Sequence, residues 1–220
     1  MGLFKDNITK TGYRNLIEDL RNALNNGEDA LKFLLLGTME PELYSEHGKY
    51  VEGQHNKCNG LKGDTFTEKR LCKCMYYYNQ ACKKQCDRCD IEYRYKIVGD
   101  YEIIDYEVPA FYYGTGIGEI DLVIQGDDLI YATEVKPFKG NDETLLRMIA
   151  EIMTYTLGYS DLKYKKAIAF FEESPQEKEY LELRDDMKAL INEAEITVFR
   201  FEKVDEETYK ICKLDTVLEN

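Results

Sequence analysis

The chain has 220 residues, 44% of them apolar, with four prolines, 15 glycines and a formal net charge of −13. That is enough apolar chain for one sizeable core with room for an inserted subdomain, and it excludes a disordered, collagenous or repeat polypeptide. The acidic balance speaks against a generic basic nucleic-acid binder. MGLFKDNITKTGY, at the N-terminus, lacks the apolar stretch of a signal peptide, and Asp6 stands where a myristoylation signal wants Ser or Thr. LKFLLLG, the longest apolar run, is too short to cross a bilayer. The expectation is a cytoplasmic protein with no membrane partner.

In chain order, Thr9 or Thr11 can cap a helix whose Leu16, Ile17, Leu20, Ala23 and Leu24 form one stripe, stopped by NNG at 25–27. A short helix is expected over Asp29 to Leu36. Residues 40–64 have no regular pattern, and a cysteine-rich stretch of mixed helix and loop follows. From Tyr93 the pattern turns to strands, EYRYKIV, YEIIDYEV, EIDLVIQ and DLIYATEV. A helix comes next, from about Asp142 to Leu157, with Leu145, Ile149, Ile152, Met153 and Thr156 on one side. KKAIAFFE reads as a strand. Ser174-Pro175 supplies a cap and a first-turn proline for one helix with the stripe Leu183, Met187, Leu190 and Ile191. ITVFRFEKV and YKICKL close the chain as strands around an acidic turn. The expected fold is an α/β layer with a mixed central sheet flanked by helices. Its parts are N-terminal helices over 1–50 packed on the core, a small cysteine-rich basic subdomain over 51–92, and an α/β core over 93–220.

The stretch 118–137, GEIDLVIQGDDLIYATEVKP, carries charges inside two apolar runs, where they are seldom found without a use. A hairpin turning at Gly126-Asp127 or Asp127-Asp128 has an even loop, so opposed residues have numbers with an odd sum. Asp121 then shares a face with Glu134 and Lys136, and Glu119 shares it by parity. Two adjacent carboxylates resist joint ionisation unless a cation lies between them, and oxygen ligands of this kind suit Mg²⁺ or Mn²⁺. A neighbouring lysine adds charge stabilisation at a phosphoryl group. The patch is suited to phosphodiester hydrolysis, and simple pairing of Asp121 and Glu134 with Lys136 or arginines is the alternative.

GEIDL followed by EVK at the end of the next strand resembles the PD-(D/E)xK nuclease superfamily, its RecB-like and resolvase-like branches in particular, over about residues 93–172. The resemblance implies a restriction-endonuclease-like core and a hydrolase that cuts nucleic acid, DNA in particular. By position it makes Asp121 and Glu134 the metal ligands, with the backbone carbonyl of Val135, and Lys136 the catalytic lysine. RecB-like members often carry Gln-x-x-x-Tyr on the following helix; Glu151 and Tyr155 stand there, Glu151 as a further ligand or a solvated residue. Lys139 and Tyr155 are placed as substrate contacts. The family also draws an acid from a helix ahead of the strands, for which Glu18, Glu42 and Glu46 are candidates. An alternative function is a nuclease-like fold that no longer cuts and serves as an interaction module.

Six of the seven cysteines fall between residues 58 and 89. With no export signal, bunched thiols read as metal ligands rather than disulfides. Cys86-x-x-Cys89 and Cys72-x-Cys74 are the preferred zinc set, with Cys58, Cys82 and His55 as substitutes. Some RecB-like nucleases carry an iron–sulfur cluster as a structural staple, which the resemblance adds as an alternative to zinc. Cys212, alone in an apolar strand, reads as a small core residue. Lys57 to Lys96 hold ten basic against five acidic residues. This segment, with Tyr76, Tyr77 and Tyr78, would grip nucleic acid through phosphate contacts and stacking, unless the tyrosines pack on the body.

Overall fold

The computed structural model describes residues 18, 20–22, 25, 67–80, 95–109, 119–138, 143–156 and 164–215. Their elements run α1 (Glu68–Gln80), β1 (Lys96–Val98), β2 (Glu102–Pro109), β3 (Glu119–Gly126), β4 (Leu129–Val135), α2 (Leu145–Thr156), β5 (Tyr164–Phe171), α3 (Pro175–Leu181), α4 (Asp185–Glu193), β6 (Ile196–Lys203) and β7 (Thr208–Leu214). All seven strands join one mixed sheet in the order β1-β7-β6-β5-β4-β3-β2. The middle strands β4, β5 and β6 run parallel, each linked to the next by helix, while β2, β3 and β4 form an antiparallel meander. Parallel neighbours need a crossover, and the apolar stripes of α2 and α4 supply two that cover the same face.

The sheet has to curl. β1 and β2 stand at opposite ends of its order, six spacings of about 4.8 Å apart if the sheet were flat, or roughly 29 Å. Yet only three residues separate Val98 from Glu102, a reach of at most about 15 Å. The edges therefore bend toward each other, and Tyr101 in the link packs edge-on against Tyr131 of β4 and Phe199 of β6. Gly126 permits this approach, because a Cβ there would overlap the Tyr101 ring.

Two apolar layers result. On one face Val123, Ala132, Ile168, Phe170 and Val198 meet Ile149, Ile152 and Met153 of α2 and Met187, Leu190 and Ile191 of α4. On the other, Leu122, Ile124, Tyr131, Ala169, Phe199 and Phe201 meet Leu71, Cys72 and Met75 of α1. The described residues of the N-terminal segment are helical; Leu20 is buried in the first layer and Arg21 pairs with Glu193 of α4. Among the described residues no helix is long and apolar enough to cross a membrane.

Several expectations need adjusting. The helix expected to run on from Pro175 is two helices. Ser174 caps α3, its Oγ accepting from the Glu177 N–H at 3.1 Å, and the chain then breaks at 182–184. The break puts Asp185 and Asp186 in the first turn of α4, where the helix dipole favours acids. Leu183, expected on the helical stripe, is buried in the connection instead. Of the segment 51–92 only 67–80 is described. That stretch is a regular helix packed on the sheet, and the rest of the expected cysteine-rich subdomain lies outside the described residues.

Candidate metal centre and catalytic cleft

The β3–β4 hairpin turns at Asp127-Asp128, both with positive φ (53° and 58°), as a tight two-residue turn requires. Gly126 pairs with Leu129, and the ladder proceeds to Leu122 opposite Thr133. This is the odd-sum register expected from the sequence, and it puts Asp121 across from Glu134. The ladder ends there. Instead of a backbone carbonyl, Asp121 Oδ2 accepts the Val135 N–H at 2.7 Å, so the strands part where the charges begin. Lys136, just beyond β4, donates its backbone N–H to Ala169 of β5.

Asp121, Glu134 and Lys136 meet in a cleft of about 290 Å³ lined also by Glu68, Lys69, Glu107, Glu119, Glu143, Arg147, Glu151 and Tyr155. Lys136 Nζ lies 2.6 Å from Glu134 Oε1, 2.9 Å from Glu68 Oε2, 2.9 Å from Glu143 Oε2 and 3.3 Å from Glu151 Oε2. An ammonium has three protons for these four carboxylates. Arg147, one helical turn from both Glu143 and Glu151, pairs with each at 2.9 and 3.0 Å. Around Lys136 and Arg147 the cleft thus gathers five carboxylates, from Glu68, Asp121, Glu134, Glu143 and Glu151.

That excess of buried negative charge sets the protonation. Burial, then Glu68, pushes the Asp121 carboxyl well above its ordinary value despite Lys136 and the Val135 N–H. Burial, then Asp121, does the same to Glu134, and burial also raises Glu68. Glu151 goes the other way: burial opposes its charge, but Lys136, Glu134 and Arg147 outweigh burial and lower it. Burial opposes the charge of Lys136, but Glu134, Glu151, Asp121 and Glu68 outweigh it and raise its pKa. It stays an ammonium throughout the working pH range. Burial and the adjacent acids likewise raise Tyr155, keeping its phenol protonated and able to donate.

One carboxylate oxygen each from Glu68, Asp121 and Glu134 lies within 4.8 Å of the others, the spacing of ligands around one hard cation. Glu134 is buried beside Asp121 and Glu151, and burial, then Asp121, favours its protonated form; a cation at this point would take the place of that proton. These three acids are therefore spaced to hold one hard cation. The third acid, Glu68, was not among the candidates named from sequence. Glu18 is exposed on the N-terminal helical segment, and Glu42 and Glu46 lie outside the described residues. Glu68 opens α1, where Thr67 Oγ1 accepts the Arg70 N–H. The signal was a Thr followed by the spacing Glu68, Leu71, Cys72, Met75, which places Glu68 on the buried edge of a helix.

The other expected site residues scatter. Tyr155 and Glu151 do line the cleft. Lys139 lies outside the described residues, as do His55, Cys58, Cys82, Cys86 and Cys89. Cys72 and Cys74 are two apart on α1, so their side chains leave it about 200° apart, and both are buried in apolar packing. That placement does not make Cys72-x-Cys74 a two-point chelate. Burial, then Asp121 and Glu68, holds the Cys72 thiol protonated. Cys212 is half-buried in β7. The rings of Tyr76 and Tyr77 pack on Tyr106, and the Tyr78 hydroxyl donates to Glu207, so these tyrosines serve the body. No family model, curated protein or solved structure matches this chain.

Proposed function

We propose that the protein is a divalent-metal-dependent nuclease of PD-(D/E)xK type with a restriction-endonuclease-like core, hydrolysing phosphodiester bonds, DNA in particular. The observation that carries this reading is the meeting of Asp121 and Glu134 from a parting hairpin with Glu68 from α1, beside a buried lysine. Glu68, Asp121 and Glu134 would hold Mg²⁺ or Mn²⁺. When bound, such an ion lowers the pKa of coordinated water and offsets charge gathering on phosphoryl oxygens. Lys136, kept cationic by its neighbours, donates to an attacking water or a phosphoryl oxygen. Glu151 holds that ammonium in place, and Tyr155 offers a phenolic proton at the cleft wall.

The test is cleavage of single- and double-stranded DNA and RNA with Mg²⁺ or Mn²⁺ against EDTA. Asp121→Ala and Lys136→Ala should each lower turnover at least about a hundredfold, the scale on which removal of a single stabilising group is felt. Activity indifferent to both substitutions removes the site from the mechanism. Tight nucleic-acid binding with no cleavage under any metal would favour an interaction module.

A further inference from the structure

We propose that Lys136 and Arg147 form the phosphate subsite of this cleft, and that Glu143 is a built-in carboxylate filling it until a phosphodiester displaces it. The proposal rests on the nuclease reading above. Its basis is a bridge: Glu143 Oε2 lies 2.9 Å from Lys136 Nζ while Oε1 lies 2.9 Å from Arg147 Nη1. A carboxylate presents two oxygens on one carbon, and a phosphodiester presents two non-bridging oxygens on one phosphorus. Two cations set to take one carboxylate oxygen each are therefore also set to take the phosphate pair. Glu143 is the cleft's own stand-in for that anion.

Two further features make Glu143 the group that leaves. Its side chain is 26% exposed and Arg147 is 41% exposed, whereas Glu151, the other shared partner of the two cations, is only 6% exposed. An anion arriving from solvent meets Glu143 and Arg147 first. In addition, the main chain at this point is anchored independently of the carboxylate. The buried Gln176 donates from Nε2 to the Glu143 carbonyl at 2.8 Å, and the Leu145 N–H donates to Glu179 at 2.9 Å. Glu143 precedes α2 rather than lying within it, so rotation of its side chain disturbs neither helix nor strand. Its departure removes one ion-pair partner from each cation, while Glu151 stays beside both.

The experiment measures binding of a short labelled DNA, single-stranded and duplex, to the full chain in EDTA, where metal-dependent cleavage is off. If the open state is populated about one time in ten, removing the plug strengthens binding roughly tenfold. Glu143→Gln should therefore gain roughly tenfold. Glu119→Gln, an exposed acid on the same rim, controls for general relief of repulsion and should gain at most about twofold. Adding Arg147→Gln to Glu143→Gln should erase the gain. Glu143→Asp keeps the charge but is one methylene too short for the bridge, and should gain in the same direction. Equal gains from Glu119→Gln and Glu143→Gln, a gain that survives Arg147→Gln, or no detectable binding by Glu143→Gln would each overturn the proposal. Cleavage assays on the same proteins separate the two readings. Wild-type cleavage without a Glu143-specific gain sinks the plug and leaves the nuclease; a Glu143-specific gain in a protein that cuts nothing does the reverse.

Discussion

Lys136 and Lys69 line the same cleft and both pair with glutamates, yet they are in different physical situations. Lys69 is 67% exposed, 3.1 Å from Glu107 and 3.3 Å from Glu119. Water reaches the Lys69 ammonium and screens its pair with the half-exposed Glu119, although Glu107 is only 17% exposed; exposed pairs contribute about 1 kcal/mol or less. Lys136 is 2% exposed among four carboxylates. There the protein cannot rely on solvent to support charge, so the acids take up protons or wait for a cation. Desolvation, rather than the number of ion pairs, turns a patch of charge into a poised site.

The widest break in this comparison comes from removing each lysine in turn. Lys136→Ala leaves Glu134 and Glu151 buried with Arg147 as the nearer remaining cation, and should cost about 3 kcal/mol near pH 8. Near pH 5 the loss should shrink, because the orphaned carboxylates can be protonated. Urea denaturation at the two pH values checks this; equal losses would mean that packing alone is at stake.

A middle-sized effect follows from the raised carboxyl groups. Asp121, Glu134 and Glu68 have folded-state pKa values above those of the unfolded chain. The folded protein therefore binds more protons than the unfolded one above the ordinary carboxylate range. The stability these groups contribute is full below that range and is lost as pH rises through the raised values. Glu151, lowered, opposes the trend with stability gained as pH rises through the carboxylate range. Mn²⁺ competes with those protons, so its increase in melting temperature should be larger near pH 8 than near pH 5. Asp121→Asn should stabilise the metal-free protein near pH 8 by about 1 kcal/mol, removing one repelled charge, while most of the Mn²⁺ response disappears. Thermal melts in EDTA and in Mn²⁺ read both. A metal response independent of pH would mean that the ion binds elsewhere.

The smallest effect sharpens the contrast. Lys69→Ala should change stability by no more than about 1 kcal/mol, and by less in high salt, because the Lys69 ammonium and Glu119 lie in water, and the Glu107 carboxyl, raised by burial, can take up a proton when its partner is lost. A loss comparable with that of Lys136→Ala would show that the rim is not solvent-screened.

The central part of this site was legible in the amino-acid order. Strand alternation and a two-residue turn dictate which side chains of a hairpin share a face, so the order of residues alone groups Asp121, Glu134 and Lys136. The apolar stripes of α2 and α4, and the Ser174 cap, rest on the same short-range periodicity. Other features were not readable in this way. Cys72 and Cys74 looked like ligands because sequence spacing says nothing of the helix that separates their directions. The tyrosines at 76–78 looked like a stacking surface because nothing local reveals Tyr106 beneath Tyr76 and Tyr77, or Glu207 beside Tyr78.

The sequence alone determined the α/β class, the hairpin register and the identity of the residues on its charged face, since each depends on neighbours a few positions apart. Only the tertiary structure decided that Glu68 joins that face, that Glu143 bridges Lys136 and Arg147, and that Lys136 is sealed from water. Those facts depend on how α1 and α2 lie against a curled sheet. Contacts between segments far apart in the chain carry no periodic trace in the order of residues.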